Sequence, residues 1–184
     1  MQLQKTGFQK SSFLFLSQNL RKLAFEDKVS LYAHLGTLIA CFFPWASLNP
    51  LYGPVVFMNA FSGASWLIGS IVFCLSLFSV AIFVDELLEK KLLQFRLPRT
   101  TILGAMSGQS LLLQLCAWSV LYSVGAGYAG IEFRFGLAAC LLLQIVALVA
   151  AWLKERSSKK EEAKEFFQLP THQKSGESST HPHQ

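Results

Sequence analysis

Between Lys28 and Asp85 the chain carries no Asp, Glu, Lys or Arg, and the same holds between Arg99 and Glu132 and between Arg134 and Lys154. Segregation of charge into blocks constrains the fold more than any motif. A surface helix of a soluble domain shows one apolar stripe with 3.6-residue period and a charged opposite face. Hydrophobicity all the way round suits a helix immersed in lipid, where about 20 mainly apolar residues cross a hydrocarbon core of roughly 30 Å.

Four stretches meet that requirement: 29–45, 66–84, 101–124 and 131–153, the first extended on its N-terminal side by residues 23–28. None shows the alternation of a membrane β-barrel strand. Backbone groups in hydrocarbon must satisfy one another, so four apolar runs become four helices. The expected fold class is all-α, a four-helix transmembrane bundle over 29–153, with an interfacial segment over 1–28 and a charged helix and tail over 154–184. A content of 52% hydrophobic and 15% charged residues agrees.

Lys and Arg set the expected orientation. Lys5, Lys10, Arg21, Lys22 and Lys28 precede the first span, Lys90, Lys91, Arg96 and Arg99 lie between the second and third, and Lys154, Arg156, Lys159, Lys160, Lys164 and Lys174 follow the fourth. The other two connections hold Arg134 alone. The positive-inside rule places both termini in the cytoplasm.

Residues 42–66 then form the outer end of the first span, the first outer loop and the start of the second span. Trp45, Tyr52, Trp66, Trp118, Tyr122 and Tyr128 suit an aromatic belt, and Pro44, Pro50, Gly53 and Pro54 favour turns over a further helix. A loop holding Leu51, Tyr52, Phe57 and Phe61 folds back over the bundle, lies on the membrane or binds a partner. Arg134, two residues beyond Glu132, snorkels to outer headgroups or meets a ligand beneath that loop. Two positions apart, they share no helix face, which excludes an intrahelical pair.

Phe13, Leu16, Leu20 and Leu23 recur near helical spacing among Gln18, Asn19, Arg21 and Lys22, the pattern of an interfacial helix on anionic inner-leaflet lipid. That accounts for the net charge of +5 without nucleic acid, for which no binding signature is present. A lipoprotein-like box ends at Cys41, but an equivalent box ends at Cys140 inside the fourth span, so small residues before cysteine carry no processing signal. Cys41, Cys74, Cys116 and Cys140 fall one per span without CxxC or histidine spacing, and behave as small hydrophobes. His172, His181 and His183 lie in a polar tail at irregular spacing. No metal or cofactor is expected.

Polar residues inside the spans are costly and often functional. Gln114 and Gln144 fall near mid-depth of neighbouring antiparallel helices, about one helical turn apart, and are expected to hydrogen-bond each other. His34 falls one to two turns inside the first span, as a hydrogen-bonded interfacial histidine without an intramembrane carboxylate for a proton relay. Gly104 and Gly108 form a GxxxG, and Gly136, Cys140 and Gln144 line one face of the fourth span; both invite close helix packing, within the chain or against a second copy. On the cytoplasmic side Glu86 and Lys90 are spaced as a helical pair, Pro98 breaks the helix and Thr100 is placed to cap the next.

"FFPW" closing the first span, "NAFSG" before the second, "RFG" opening the fourth and "EEAKEFF" after it together resemble small uncharacterised bacterial four-helix membrane proteins. The resemblance implies a bacterial inner-membrane setting and brings no catalytic residues. With no HExxH, GxSxG or intramembrane carboxylate pair, no enzyme is expected. The expectation is a non-enzymatic scaffold or assembly subunit, as homo-oligomer or with other membrane proteins. The alternative is a subunit of an oligomeric channel or transporter for a small solute or ion.

Overall fold

A computed structural model of the 184-residue chain describes residues 23–50, 53–88, 97–126 and 130–168. In chain order these form α1 (Phe25–Ala40), β1 (Ala46–Asn49), β2 (Val56–Met58), a 3-10 turn (Gly63–Ser65), α2 (Trp66–Leu87), α3 (Arg99–Gly125), β3 (Gly130–Phe133) and α4 (Phe135–Gln168). The described residues are mostly helical, with a small sheet at one end of the bundle. The expected N-terminal interfacial helix, Leu51 and Tyr52 of the first loop, Tyr128, Lys90, Lys91 and Arg96, and the histidine tail lie outside the described residues.

Helices α1, α2, α3 and α4 close into a ring: α1 packs on α2 and α4, and α3 packs on α2 and α4. Among the described residues two helices are long and apolar enough to cross a membrane, one spanning Gly63–Leu87 with its leading turn and the other Phe135–Lys164 within α4. The charged continuation expected after the last apolar stretch is part of α4, which runs to Gln168 without a break.

The strands correct the all-helical expectation. The first apolar stretch, 29–45, is helical only to Ala40; Pro44 stands outside the helix and Trp45 leads into strand β1, its N–H donating to Met58 O at 2.7 Å. The fourth stretch, 131–153, begins as β3 and turns helical at Phe135. The sheet order is β2-β1-β3, all antiparallel, with Ala46 opposite Met58 and Phe133, and Ser47 opposite Phe57 and Glu132. Two connections far apart in sequence thus become one unit. The strands are too short for their period-two pattern to rise above the surrounding apolar residues, which is why periodicity alone missed them.

Alternation along the strands sorts their side chains onto two faces. Ala46, Leu48, Met58, Ile131 and Phe133 belong to a core cluster with Trp45, Val72, Leu121, Leu137 and Cys140 beneath the sheet. At the opposite end of the bundle Leu31, Ile82, Phe83 and Leu103 form a second cluster. The link from sheet to α2 is held locally: Asn59 N–H donates to Ser62 Oγ at 2.9 Å and Phe61 N–H donates to Asn59 Oδ1 at 3.0 Å, so "NAFSG" is a side-chain-tied turn. Gly63 follows with φ of 72°, in the left-handed region that favours glycine.

Pro98 precedes α3 and its carbonyl accepts from Thr101 and Ile102 N–H, so the helix starts at Arg99 without the expected Thr100 cap. Pro at this boundary needs no N–H partner, and its carbonyl serves the first turn.

Candidate functional site

The interior between the two apolar clusters is polar. Thr37 and His34 on α1, Ser76 and Ser79 on α2, Ser107, Ser110 and Gln114 on α3, and Gln144 on α4 are all buried. Outward-facing positions of the same helices are mainly apolar, with Gln109, Ser119 and Ser123 of α3 as exposed exceptions: on α4, Gln144 is 0% exposed while Leu142 is 64% and Trp152 56% exposed. Polar residues inside and apolar residues outside is the reverse of a soluble bundle.

Hydrogen bonds cross the ring along both diagonals. Gln144 Nε2 on α4 donates to Ser76 Oγ on α2 at 3.1 Å and to Thr37 Oγ1 on α1 at 3.3 Å. His34 Nε2 on α1 lies 3.4 Å from Ser107 Oγ on α3. The polar side chains therefore sit on the bundle axis, the buried His34 among them. Thr37 Oγ1 itself donates to Ala33 O at 3.0 Å, so that hydroxyl can accept from the glutamine.

The expected Gln114–Gln144 bond is not formed. Gln144 spends its amide protons on α1 and α2, and its Oε1 has no partner among the described residues. Gln114, 0% exposed, has neither Oε1 nor Nε2 partnered among them; Ser110 Oγ, Ser30 Oγ and His34 Nδ1 are likewise without partners. Ser110 and Gln114, four apart on α3, share a helix face.

The axis ends at the charged end of the bundle in two ion pairs. Lys154 on α4 grips both carboxylate oxygens of the buried Asp27 on α1, at 2.6 and 2.5 Å. Arg99 at the start of α3 pairs with Glu86 near the end of α2, with its guanidinium 4.4 Å from the centre of the Phe83 ring. Glu86 thus pairs with Arg99 across the connection; the expected partner Lys90 lies outside the described residues.

At the sheet end, Phe57 and Arg134 meet. Phe57, Ser47, Glu132 and Arg134 share the sheet face turned away from the bundle. Arg134 Nε donates to Ser47 Oγ at 3.0 Å, its Nη2 lies 2.6 Å from Glu132 Oε2, and its guanidinium stands 5.8 Å from the centre of the Phe57 ring. Residues two apart share no helix face but do share a strand face, which is the physical reason the Glu132–Arg134 pair excluded for a helix is made here. Arg134 therefore lies across the sheet instead of extending as a free cation. Phe61 is elsewhere, packed with Phe42 and Phe73 at centroid distances of 5.3 Å each.

The glycines sort differently from their sequence motifs. Added Cβ atoms on Gly104 and Gly108 would lie 3.8 Å from Ala151 Cβ and 4.0 Å from Leu148 Cδ1, so the GxxxG faces α4 of its own chain at ordinary contact distance. Gly136 is tight, its added Cβ falling 2.7 Å from Pro44 O. Gly69, which no motif singled out, packs directly on the Ala60 backbone. No family model, curated protein or solved structure matches the chain.

Proposed function

We propose that the protein is a multi-pass integral membrane protein whose four helices all lie in the bilayer, with both termini and the charged end on the cytoplasmic side. It serves as a non-enzymatic assembly subunit that presents the sheet on the opposite side. The observation that carries this is the inverted partition of the middle of the bundle: between two apolar clusters the four helices place Thr37, His34, Ser76, Ser107, Gln114 and Gln144 on the axis, while the perimeter is mainly Leu, Ile, Val and Trp. In water such a perimeter would drive aggregation, and in hydrocarbon it is the solvated surface. At 16 residues α1 is about 24 Å long, short of a full crossing, and the Cys41–Trp45 turn under the sheet completes it. Lys and Arg asymmetry supports the orientation and anionic inner-leaflet lipid as a partner.

The assembly role rests on the sheet face. Two loops are fused into one platform, with Phe57 60% exposed and Glu132 and Arg134 mutually neutralised, a composition suited to another membrane protein or a second copy. A photo-crosslinker at position 57 in native membranes tests it, with position 142 on the lipid-facing side as control. One protein adduct of defined mass from position 57, absent from 142 and lost with Arg134→Glu, is the expected result. Equal lipid-only adducts from both positions would overturn the assembly role.

A channel or transporter subunit is the second possibility, favoured by one observation, the polar axis. That axis belongs to a single bundle and does not need oligomerisation to exist.

A further inference from the structure

We propose that the bundle axis is an internal binding site for small uncharged molecules that both donate and accept hydrogen bonds, the class of water and small amides. The proposal rests on the four helices lying in lipid and goes beyond the assembly role, since the sheet platform does not use these residues.

Three features define the site. Gln114 presents an unpartnered donor and an unpartnered acceptor from a wholly buried side chain, and Ser110 adds a hydroxyl on the same helix face. Gln144 adds a third unpartnered oxygen. Its amide is held by Thr37 and Ser76, so that oxygen is fixed in place. Helix register and burial place these groups in the same part of the interior: Gly104 faces Ala151 and Gly108 faces Leu148, which sets Gln114 within about one turn of Gln144 in depth, and both side chains are wholly buried.

Buried polar groups in native proteins are paired, by protein or by ordered water making about three hydrogen bonds. A cluster offering one donor, two amide oxygens and a two-way hydroxyl matches a molecule with both functions. An ion does not fit. The charged side chains described near the axis are Asp27, Lys154, Glu86 and Arg99, already paired at its end, and an unpaired charge at mid-depth would go uncompensated.

Polar groups continue from the site in one direction only. Towards the sheet, the fully buried Trp45, Leu121, Leu137 and Cys140 close the axis with apolar bulk. Towards the charged end, His34 with Ser107 and then Ser30 carry polar groups down to the Asp27–Lys154 pair, where Lys154 reaches solvent.

The test uses full-length protein with 15N-labelled glutamine in lipid nanodiscs. Side-chain amide resonances are read for direct magnetisation transfer from water, with and without added formamide, and Gln114 is assigned by Gln114→Leu, or by Gln114→Met if the leucine variant does not fold. A water cross-peak at Gln114 that persists in formamide supports the site with water as occupant. A cross-peak that fades as formamide saturably shifts the Gln114 signal supports it with a small amide. Neither effect, together with a Gln114→Leu protein whose folded-to-unfolded ratio rises roughly fivefold or more because a dry orphan amide has been removed, would overturn it. If the chain fails to enter nanodiscs and stays compact in buffer, the membrane placement is wrong, and the same spectra read there still decide the site.

Discussion

Lys154 Nζ lies 2.6 and 2.5 Å from the two carboxylate oxygens of Asp27, tying the first turn of α1 to the middle of α4. The aspartate is buried and the lysine only partly exposed, so removing one partner strands the other. Asp27→Ala or Lys154→Ala is expected to cost roughly 2–3 kcal/mol in reversible unfolding from mixed micelles. Asp27→Leu with Lys154→Leu together should regain most of that loss, because the desolvation cost disappears with the charges. Single variants as stable as the parent would show that the pair contributes nothing.

Glycine substitutions should follow the packing rather than the motif. Gly104→Ala and Gly108→Ala place a methyl at ordinary contact distance from α4 and gain helix propensity, so each should be neutral or stabilising, by up to about 1 kcal/mol. Gly69→Ala drives a methyl into the Ala60 backbone and should cost roughly 1–3 kcal/mol or more, as should Gly136→Ala against Pro44. Thermal unfolding of the four variants side by side checks the ranking.

That contrast shows what could be read in the sequence. Long charge-free tracts located the four helices, because a long apolar run finds its backbone hydrogen-bond partners within itself. Gly136, Gln114 and Gln144 draw notice in the sequence because a small or polar residue in an apolar run stands out. Gly69 was not, since its tight neighbour Ala60 belongs to a turn whose position depends on Asn59, Ser62 and the sheet. Sheet pairing between β1 and β3 spans more than eighty residues and leaves no local trace. The Gln114–Gln144 bond was expected from depth alone. Depth does not say which side of a helix a neighbour occupies, and Thr37 and Ser76 reach the Gln144 amide first.

Gln144 joins three helices through one amide, so its loss should exceed that of either partner. Gln144→Leu is expected to cost about 1–2 kcal/mol, against roughly 0.6 kcal/mol for Ser76→Ala, the common size of an interhelical hydrogen bond in lipid. Thr37→Val should fall near Ser76→Ala. Equal effects at all three positions would mean the amide bonds are replaced on mutation, a result that unfolding measurements on the three single variants would expose directly.

On the sheet face, Arg134 makes contacts of unequal worth. Its ion pair with Glu132 is half exposed, so Glu132→Gln should change stability by less than about 0.5 kcal/mol and lose even that in high salt. Its bond to Ser47 is different, because that hydroxyl is wholly buried and Arg134→Ala leaves it without its donor. Stacking over Phe57 adds about 0.5–1 kcal/mol. Arg134→Ala should therefore cost about 1–2 kcal/mol, little changed by salt. A double-mutant cycle of Phe57→Leu with Arg134→Ala should return a coupling near the stacking value, and a coupling indistinguishable from zero would mean that the ring and the guanidinium merely lie close.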